Sequence, residues 1–451
     1  MRGFHEKMVP RILLAAAAVA LFGCAGPERG AARRPNLVLI VSDDQGYAEM
    51  GCQGGEVPTP HLDRLAASGI RFTAGYVTAP FCSPSRAALL TGRYQQRFGH
   101  EMNPVEKTND RPEVGLPTSE KTIADHLRAA GYATGMVGKW HLGAHPPYHP
   151  LRRGFQEFFG FLREGHFYGA GDQVVSHLRP REPEYDRLNP ILRGEREVEE
   201  KEYLTTALGR EATAFIDRHA RDPFFLYLPF NAPHSPMQAA APDHARFASI
   251  SDPHRRVFAA MVASMDAAVG AVLDTLRKHG LERDTLVIFL SDNGGPTKEL
   301  TSRNDPFSGG KGQMLEGGIR VPFLMSWPGT LPAGVVERRP VSALDVVPTA
   351  LAASSSPTAP GLDGVDLLPF LAGGRKESPH PALFWRMGGQ LAIRSDRWKL
   401  VRLKSAEPFR LYDLEQDEKE SKDLAAIEPD RARDLEKRLL EWNGELAPPR
   451  W

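Results

Sequence analysis

Cysteine is scarce. The 451-residue chain has three, Cys24, Cys52 and Cys82, so at most one disulfide can form within it. Net charge is absent as well: 56 basic residues face 56 acidic ones, without the basic excess that a nucleic-acid partner calls for. The apolar run at the N-terminus, residues 12–22, is shorter than the roughly 20 residues of a membrane span. Internal repeats and low-complexity tracts are missing too, which argues against a solenoid. A chain of this length can bury a large core and suggests two or three domains.

The first segment reads as targeting. Arg2, Lys7 and Arg11 precede the apolar run, as in a signal peptide. Leu21-Phe22-Gly23-Cys24 resembles a bacterial lipobox, in which Cys24 becomes the lipidated residue; simple cleavage is the alternative. The expected organisation is a signal peptide over 1–24, a tether over 25–34, a main domain over 35–352 and a C-terminal subdomain over 361–451. A Ser- and Pro-containing linker, 353–360, separates the last two. An exported, periplasmic or cell-envelope lipoprotein follows, touching membrane only through its anchor. With Cys24 removed or lipidated, Cys52 and Cys82 could pair. Otherwise Cys82 is free for chemistry and Cys52 is a small buried hydrophobe.

An aliphatic run at 36–42, and strand-like segments at 132–137, 223–228 and 285–290, predict the strands of a mainly parallel sheet. Helical spacing at 60–66, 122–130, 203–219 and 257–279 alternates with them. Thr118 or Ser119 is the expected cap of the second helix and Gly131 its stop. Such alternation predicts an α/β fold, a large mainly parallel mixed sheet covered by helices on both faces. Residues 143–200 are rich in Gly, Pro, His and Arg and read as an insertion over the active face. Short runs between 383 and 412 at hairpin spacing, then a charged helix at 430–443, predict a smaller antiparallel sheet plus helix.

Polar residues gather where the strands end. Asp43-Asp44 follows the first, Lys139 and His141 the second, His234 the third, and Asp292-Asn293 the fourth. Ligands bind at such carboxyl ends in open α/β sheets. Asp43, Asp44, Asp292 and Asn293 offer only hard oxygens, which suits Ca²⁺ or Mg²⁺ over Zn²⁺. Cys82 stands at the start of a short apolar helical pattern, where backbone N–H groups favour an anion, and Arg86 is four residues on. With Lys311 between glycines and two histidines, the set fits an oxyanion ester whose leaving oxygen must be protonated.

Cys82-Ser83-Pro84-Ser85-Arg86 with Thr91-Gly92 resembles the signature of type I sulfatases, the arylsulfatase A-like group of the alkaline phosphatase superfamily. Asp43-Asp44, Gly-Lys139-Trp-His141, Ala-Pro-His234-Ser-Pro, Ser-Asp292-Asn293-Gly and Gly-Gly-Lys311-Gly match the same family in order, over roughly residues 35–450.

The resemblance implies an alkaline-phosphatase-like fold and a sulfuric ester hydrolase acting on an aryl or, preferably, a carbohydrate sulfate. It implies that a formylglycine-generating enzyme oxidises Cys82 to Cα-formylglycine (3-oxoalanine), so that no thiol survives for a disulfide with Cys52. Asp43, Asp44, Asp292 and Asn293 would ligate Ca²⁺, or Mg²⁺, together with the hydrate at residue 82. One hydroxyl of that hydrate would attack sulfur. Lys311 and His234 would bind sulfate and protonate the leaving oxygen. His141 would take the proton that lets the aldehyde reform, and Arg86 and Lys139 would hold the hydrate.

Two other functions fit parts of this pattern. One is a phosphodiesterase or phosphonate monoester hydrolase of the same superfamily. The other is a lipoprotein that only binds sulfated glycans. Selectivity is expected in 143–200, 237–255 and the C-terminal subdomain. Within the first of these, His145, His149, Arg163, His166 and Tyr168 are either substrate contacts or plain loop surface.

Overall fold

Strand β1 (Asn36–Ser42) is buried on every residue. The computed structural model describes residues 1–3, 34–169, 172–178 and 183–451. Residues 4–33, which hold most of the expected signal peptide, Cys24 and most of the expected tether, lie outside the described residues. From Arg34 onward the chain forms one compact unit.

Four further strands run parallel with β1: β2 (Ala133–Lys139), β3 (Glu157–Phe161), β4 (Phe224–Pro229) and β5 (Thr285–Ser291). Their order across the sheet is β5-β1-β4-β2-β3. Beyond β5, Phe323–Ser326 pairs antiparallel, and two short strands complete that edge. A hairpin of 192–193 and 196–197 closes the other side of the ten-stranded sheet. The α/β reading of a mainly parallel mixed sheet therefore holds.

Side chains along β1 alternate between two cores. Leu37, Leu39 and Val41 join one apolar cluster, and Val38 and Ile40 join the other. This two-sided burial is why the strand reads as a continuous aliphatic run. Gly138 in β2 has φ 131°, and a Cβ there would lie 1.9 Å from the Pro229 oxygen. Only glycine lets β2 approach β4 so closely at the end that carries Lys139.

Helices cover both faces, among them α1 (Pro60–Ala67), α2 (Cys82–Thr91), α3 (Ile123–Ala129) and α4 (Leu204–His219). The long helix Pro253–Lys278 packs against α4, capped by Asp252, whose side chain accepts from His254 and Arg255 N–H. In α3 the cap is Thr122, not Thr118 or Ser119: Thr122 and Asp125 satisfy each other's backbone N–H in a capping box.

Two other expectations change. Residues 143–200 are not wholly an insertion, because β3 lies inside them as a strand of the main sheet. Cys52 is half-buried where a buried position was expected; that Cys52 and Cys82 are both free agrees with the resemblance.

The C-terminal part forms a four-stranded antiparallel sheet over 383–413, backed by Pro429–Gly444. A buried ionic cluster stitches it to the main sheet's surroundings. Lys399 Nζ lies 2.9 Å from Glu316 Oε1 and 2.8 Å from Glu420 Oε1. Glu316 also accepts from Tyr76 Oη at 2.5 Å and Arg320 Nη1 at 3.3 Å.

Candidate active site

The strand order explains why distant motifs meet. The neighbouring strands β5, β1, β4 and β2 deliver Asp292-Asn293, Asp43-Asp44, the His234 turn and Lys139 to one edge of the sheet. Backbone bonds lock these turns: Asp43 N–H donates to Ala232 O and Asp292 N–H to Ser42 O, both at 3.0 Å. Asp44 and His141 adopt left-handed φ of 64° and 59°, uncommon for residues with side chains and held only where the surroundings impose it.

α2 brings Cys82 to this edge as its first helical residue, and all ten residues of the helix are buried. Asp43 Oδ1 lies 3.5 Å from Cys82 Sγ, and Lys311 Nζ approaches the same sulfur at 3.4 Å. One turn on, Arg86 donates through Nε and Nη2 to Asp292 Oδ2 at 2.9 and 2.8 Å, and through Nη1 to Lys139 O at 3.2 Å. Lys139 Nζ is 2.5 Å from Asp43 Oδ2. Lys311 Nζ is 2.6 Å from Asp44 Oδ1. Gly310 allows the Lys311 loop to lie against the turn after β5, since a Cβ there would sit 2.5 Å from Gly295 O.

Three carboxylates and three cations thus occupy a largely buried site at the floor of a cavity. Burial drives the Asp43 carboxyl up to about 7, reinforced by Asp292 and opposed by Lys139 and Arg86. Asp292 goes the other way: burial opposes its charge, but Arg86, Lys139 and Lys311 outweigh it and hold the carboxyl below its usual range. Burial also pushes the Cys82 thiol well above its usual range, although Lys139 and Lys311 oppose it. Such a thiol is a poor nucleophile at neutral pH.

His234 Nε2 is 3.6 Å from Asp44 Oδ2, with Nδ1 2.6 Å from Ser235 O. His141 Nε2 is 3.0 Å from Pro104 O, and its buried Nδ1 has no hydrogen-bond partner among the described residues. Burial, followed by Lys139, keeps His141 well below the ordinary imidazole range and hence neutral. Cys82, His141, His234 and Lys311 line one cavity of about 450 Å³.

Asp43, Asp44, Cys82 and His234 each offer a ligand atom within 4.8 Å of the others. Asn293 Nδ2 donates to Asp44 Oδ1 at 2.7 Å, while its buried Oδ1 has no partner among the described residues. An orphaned amide oxygen beside carboxylates fits a hard cation. Asp292 is turned towards Arg86, and its remaining oxygen accepts from Asp44 N–H at 3.2 Å.

The loop candidates are engaged elsewhere. Arg163 pairs with Asp110 at 2.7 Å, His166 with Asp186 at 3.1 Å, and His149 accepts from Leu151 N–H. His145 does not line the cavity. Tyr168 is buried and supports the His234 turn, its hydroxyl 2.8 and 2.9 Å from Asn231 O and His234 O. Sequence reasoning missed Ser83, whose hydroxyl lies 2.6 Å from both His100 Nε2 and His141 O. It also missed Asn103 and Glu164 in the cavity wall. Asn103 and Glu164 carry no spacing signal, and Ser83, although inside the Cys82–Arg86 motif, shows nothing there of its contact with His141. A separate cavity of about 340 Å³ beside β2 and β3 has its arginines, Arg193 and Arg218, already paired with Glu211 and Glu157.

Comparison with known proteins agrees with this geometry. The family model described as Sulfatase matches residues 35–356, and one described as N-sulphoglucosamine sulphohydrolase, C-terminal, matches 310–443. N-acetylgalactosamine-6-sulfatase of Canis lupus familiaris is 36% identical over 406 residues, 86% of this chain and 74% of the relative. Arylsulfatase A of Homo sapiens is 38% identical over 415 residues, 86% of this chain and 77% of the relative. A crystal structure of Ps i-CgsB in complex with k-i-k-neocarrahexaose superposes with a TM-score of 0.84 at 36% identity, covering 93% of this chain and 95% of that one. With a family match spanning most of the chain and these motifs gathered at one sheet edge, the protein belongs to the type I sulfatases, enzymes that hydrolyse sulfate esters.

Proposed function

We propose that the protein is a formylglycine-dependent hydrolase of carbohydrate sulfate esters that holds Ca²⁺, or Mg²⁺, at the Asp43-Asp44 edge. One observation carries this reading. Cys82 is buried, opens α2 and faces the cavity between Asp43 and Lys311, yet burial makes its thiol a poor nucleophile. The position suits a nucleophile that the thiol cannot supply. Residue 82 as formylglycine would supply a hydrated aldehyde, which can attack sulfur and later expel sulfate without help from water. The carboxylates and the orphaned Asn293 Oδ1 fit a hard cation, which would lower the pKa of an oxygen on residue 82.

The chain's other residues have roles consistent with their surroundings. Lys311 puts positive charge at the Cys82 end of the cavity, where a sulfate would sit. His234 lines the same cavity and would protonate the leaving oxygen. His141, neutral and with an unpartnered Nδ1, can accept the proton whose loss reforms the aldehyde. Arg86 and Lys139, behind residue 82, balance the carboxylates. A carbohydrate substrate is supported by the names of the relatives, an N-acetylgalactosamine-6-sulfatase and a protein solved with a neocarrahexaose. Export as a lipoprotein through Cys24, and maturation by a formylglycine-generating enzyme, belong to the same proposal.

Mass spectrometry of the peptide containing residue 82, from protein made alongside that enzyme, is expected to show an aldehyde. Cys82→Ala should leave a folded protein without hydrolysis of p-nitrophenyl sulfate. An unmodified thiol in active protein, or Cys82→Ala activity within about tenfold of wild type, overturns the proposal.

A further inference from the structure

We infer that Glu164 is a specificity-determining residue: it restricts the leaving alcohol to a sugar ring with free hydroxyls and no second anionic group. This rests on the carbohydrate sulfatase reading above. The cavity that reaches Cys82 is charged unevenly. Lys311 stands at the Cys82 end, while the remaining wall includes Glu164 and Glu299.

Glu164 is buried, at 7% exposure, yet lines the cavity. Its hydrogen-bond donors are neutral. Asn109 Nδ2 donates to Oε2 at 2.7 Å and Glu106 N–H to Oε1 at 3.3 Å. No cation pairs with it among the described residues, because the adjacent Arg163 is turned to Asp110. A carboxylate has about four acceptor positions, so about two remain for donors that arrive in the cavity. A buried anion without a counter-ion is costly unless hydrogen bonds complete its shell. Sugar hydroxyls can complete it, and a sulfate or uronate cannot.

The rest of the wall suits the same ligand. Phe81, Met102 and Val105 offer apolar surface for the C–H face of a ring. Asn103 Oδ1 already accepts from Ser83 N–H at 2.9 Å, which leaves its amide N–H₂ to donate. A second anionic group near Glu164 would meet like charge in a partly desolvated place, which discriminates by repulsion as well as by fit. A purely structural Glu164, tying down the turn at 106–109, would leave the choice between substrates unaffected.

The test uses matured full-length enzyme, with p-nitrophenyl sulfate and a panel of monosulfated hexoses and N-acetylhexosamines, each beside its disulfated counterpart. Wild type should prefer the monosulfated member of every cleaved pair by about tenfold or more in kcat/KM. Glu164→Gln should raise the disulfated-to-monosulfated ratio by about tenfold. Glu164→Asp, which keeps the charge, should keep the preference. Equal wild-type rates on the pairs, or hydrolysis of p-nitrophenyl sulfate with none of the sugars, overturns the inference. So does an unchanged ratio in folded Glu164→Gln, or a preference lost in Glu164→Asp. A wild type that cleaves no sulfate ester at all removes the proposed function itself.

Discussion

Glu420→Gln should stabilise this protein at neutral pH although it removes one side of a buried ion pair. Glu316 and Glu420 share the single ammonium of Lys399, and all three side chains are withdrawn from solvent. The two carboxyls diverge as a result. Burial opposes the charge on Glu316, but Lys399, then Arg320 and Arg394, hold it down to about 2. Burial drives Glu420 up to about 7 against the pull of Lys399, with Glu316 adding like charge. Glu420 Oε1 also lacks a well-aligned hydrogen bond despite its nearness to Lys399. One ammonium cannot satisfy two desolvated carboxylates, so one of them keeps its proton.

The sign follows from linkage. A carboxyl whose folded value lies above its ordinary 4.5 contributes stability fully below 4.5 and loses it as pH rises to about 7. At about 1.4 kcal/mol per pH unit, that loss reaches about 3 kcal/mol. The amide of the Glu420→Gln variant would keep an acceptor for Glu316 N–H, which now lies 2.6 Å from Glu420 Oε2, and has no proton to lose. Equilibrium urea unfolding followed by tryptophan fluorescence at pH 5, 6, 7 and 8 measures the difference. The advantage of Glu420→Gln over wild type should grow with pH and level off above about 7, approaching 3 kcal/mol. A difference independent of pH, or a variant weakened most at pH 8, would mean that Glu420 is ionised and paired, and would refute the reasoning.

Three further outcomes are expected. His380→Gln removes contacts of 2.8 and 2.9 Å to Asp345. Burial opposes the His380 charge but Asp345 raises its pKa, so the stability is present in full below 6.5 and lost as pH rises through the raised value. The variant's deficit, about 1–2 kcal/mol at pH 6 by calorimetry, should therefore shrink towards pH 9. Ser83→Ala strands the His141 carbonyl and His100 Nε2; it should cost about 1–3 kcal/mol in denaturant titration and lower kcat more than it raises KM. Exhaustive EDTA should abolish sulfate ester hydrolysis and added Ca²⁺ restore it, whereas Asn293→Leu should weaken Ca²⁺ binding measured by calorimetry.

The strands β1, β4 and β5 were legible because each is buried on both faces and reads as a nearly continuous apolar run, and β2 because its Met136-Val137 pair sits between a helix stop and the polar Lys139-Trp140-His141 segment. The residues just beyond them were legible for the complementary reason, since polar groups at the end of such a run must serve something. β3 escaped because Glu157-Phe158-Phe159-Gly160-Phe161 is short and sits among Gly, Pro and His, whose local signal is that of loop. The cap of α3 was misplaced by a few residues because Thr118, Ser119 and Thr122 are equivalent as types; the reciprocal bond from Asp125 selects Thr122. The support beneath His141 was illegible altogether. Ser83, His100 and Pro104 come together through folding rather than spacing.

If Cys82 is converted to formylglycine as proposed, the burial of α2 sets a deadline. Every residue from Cys82 to Thr91 is enclosed, so a maturation enzyme that must grip this stretch cannot do so once the sheet and helices have closed over it. Conversion of Cys82 would then be a race between modification and folding. A molecule that folds first would be native in shape, stable, and permanently without its nucleophile. Yield of active enzyme would depend less on how well the chain folds than on how long it is kept from folding.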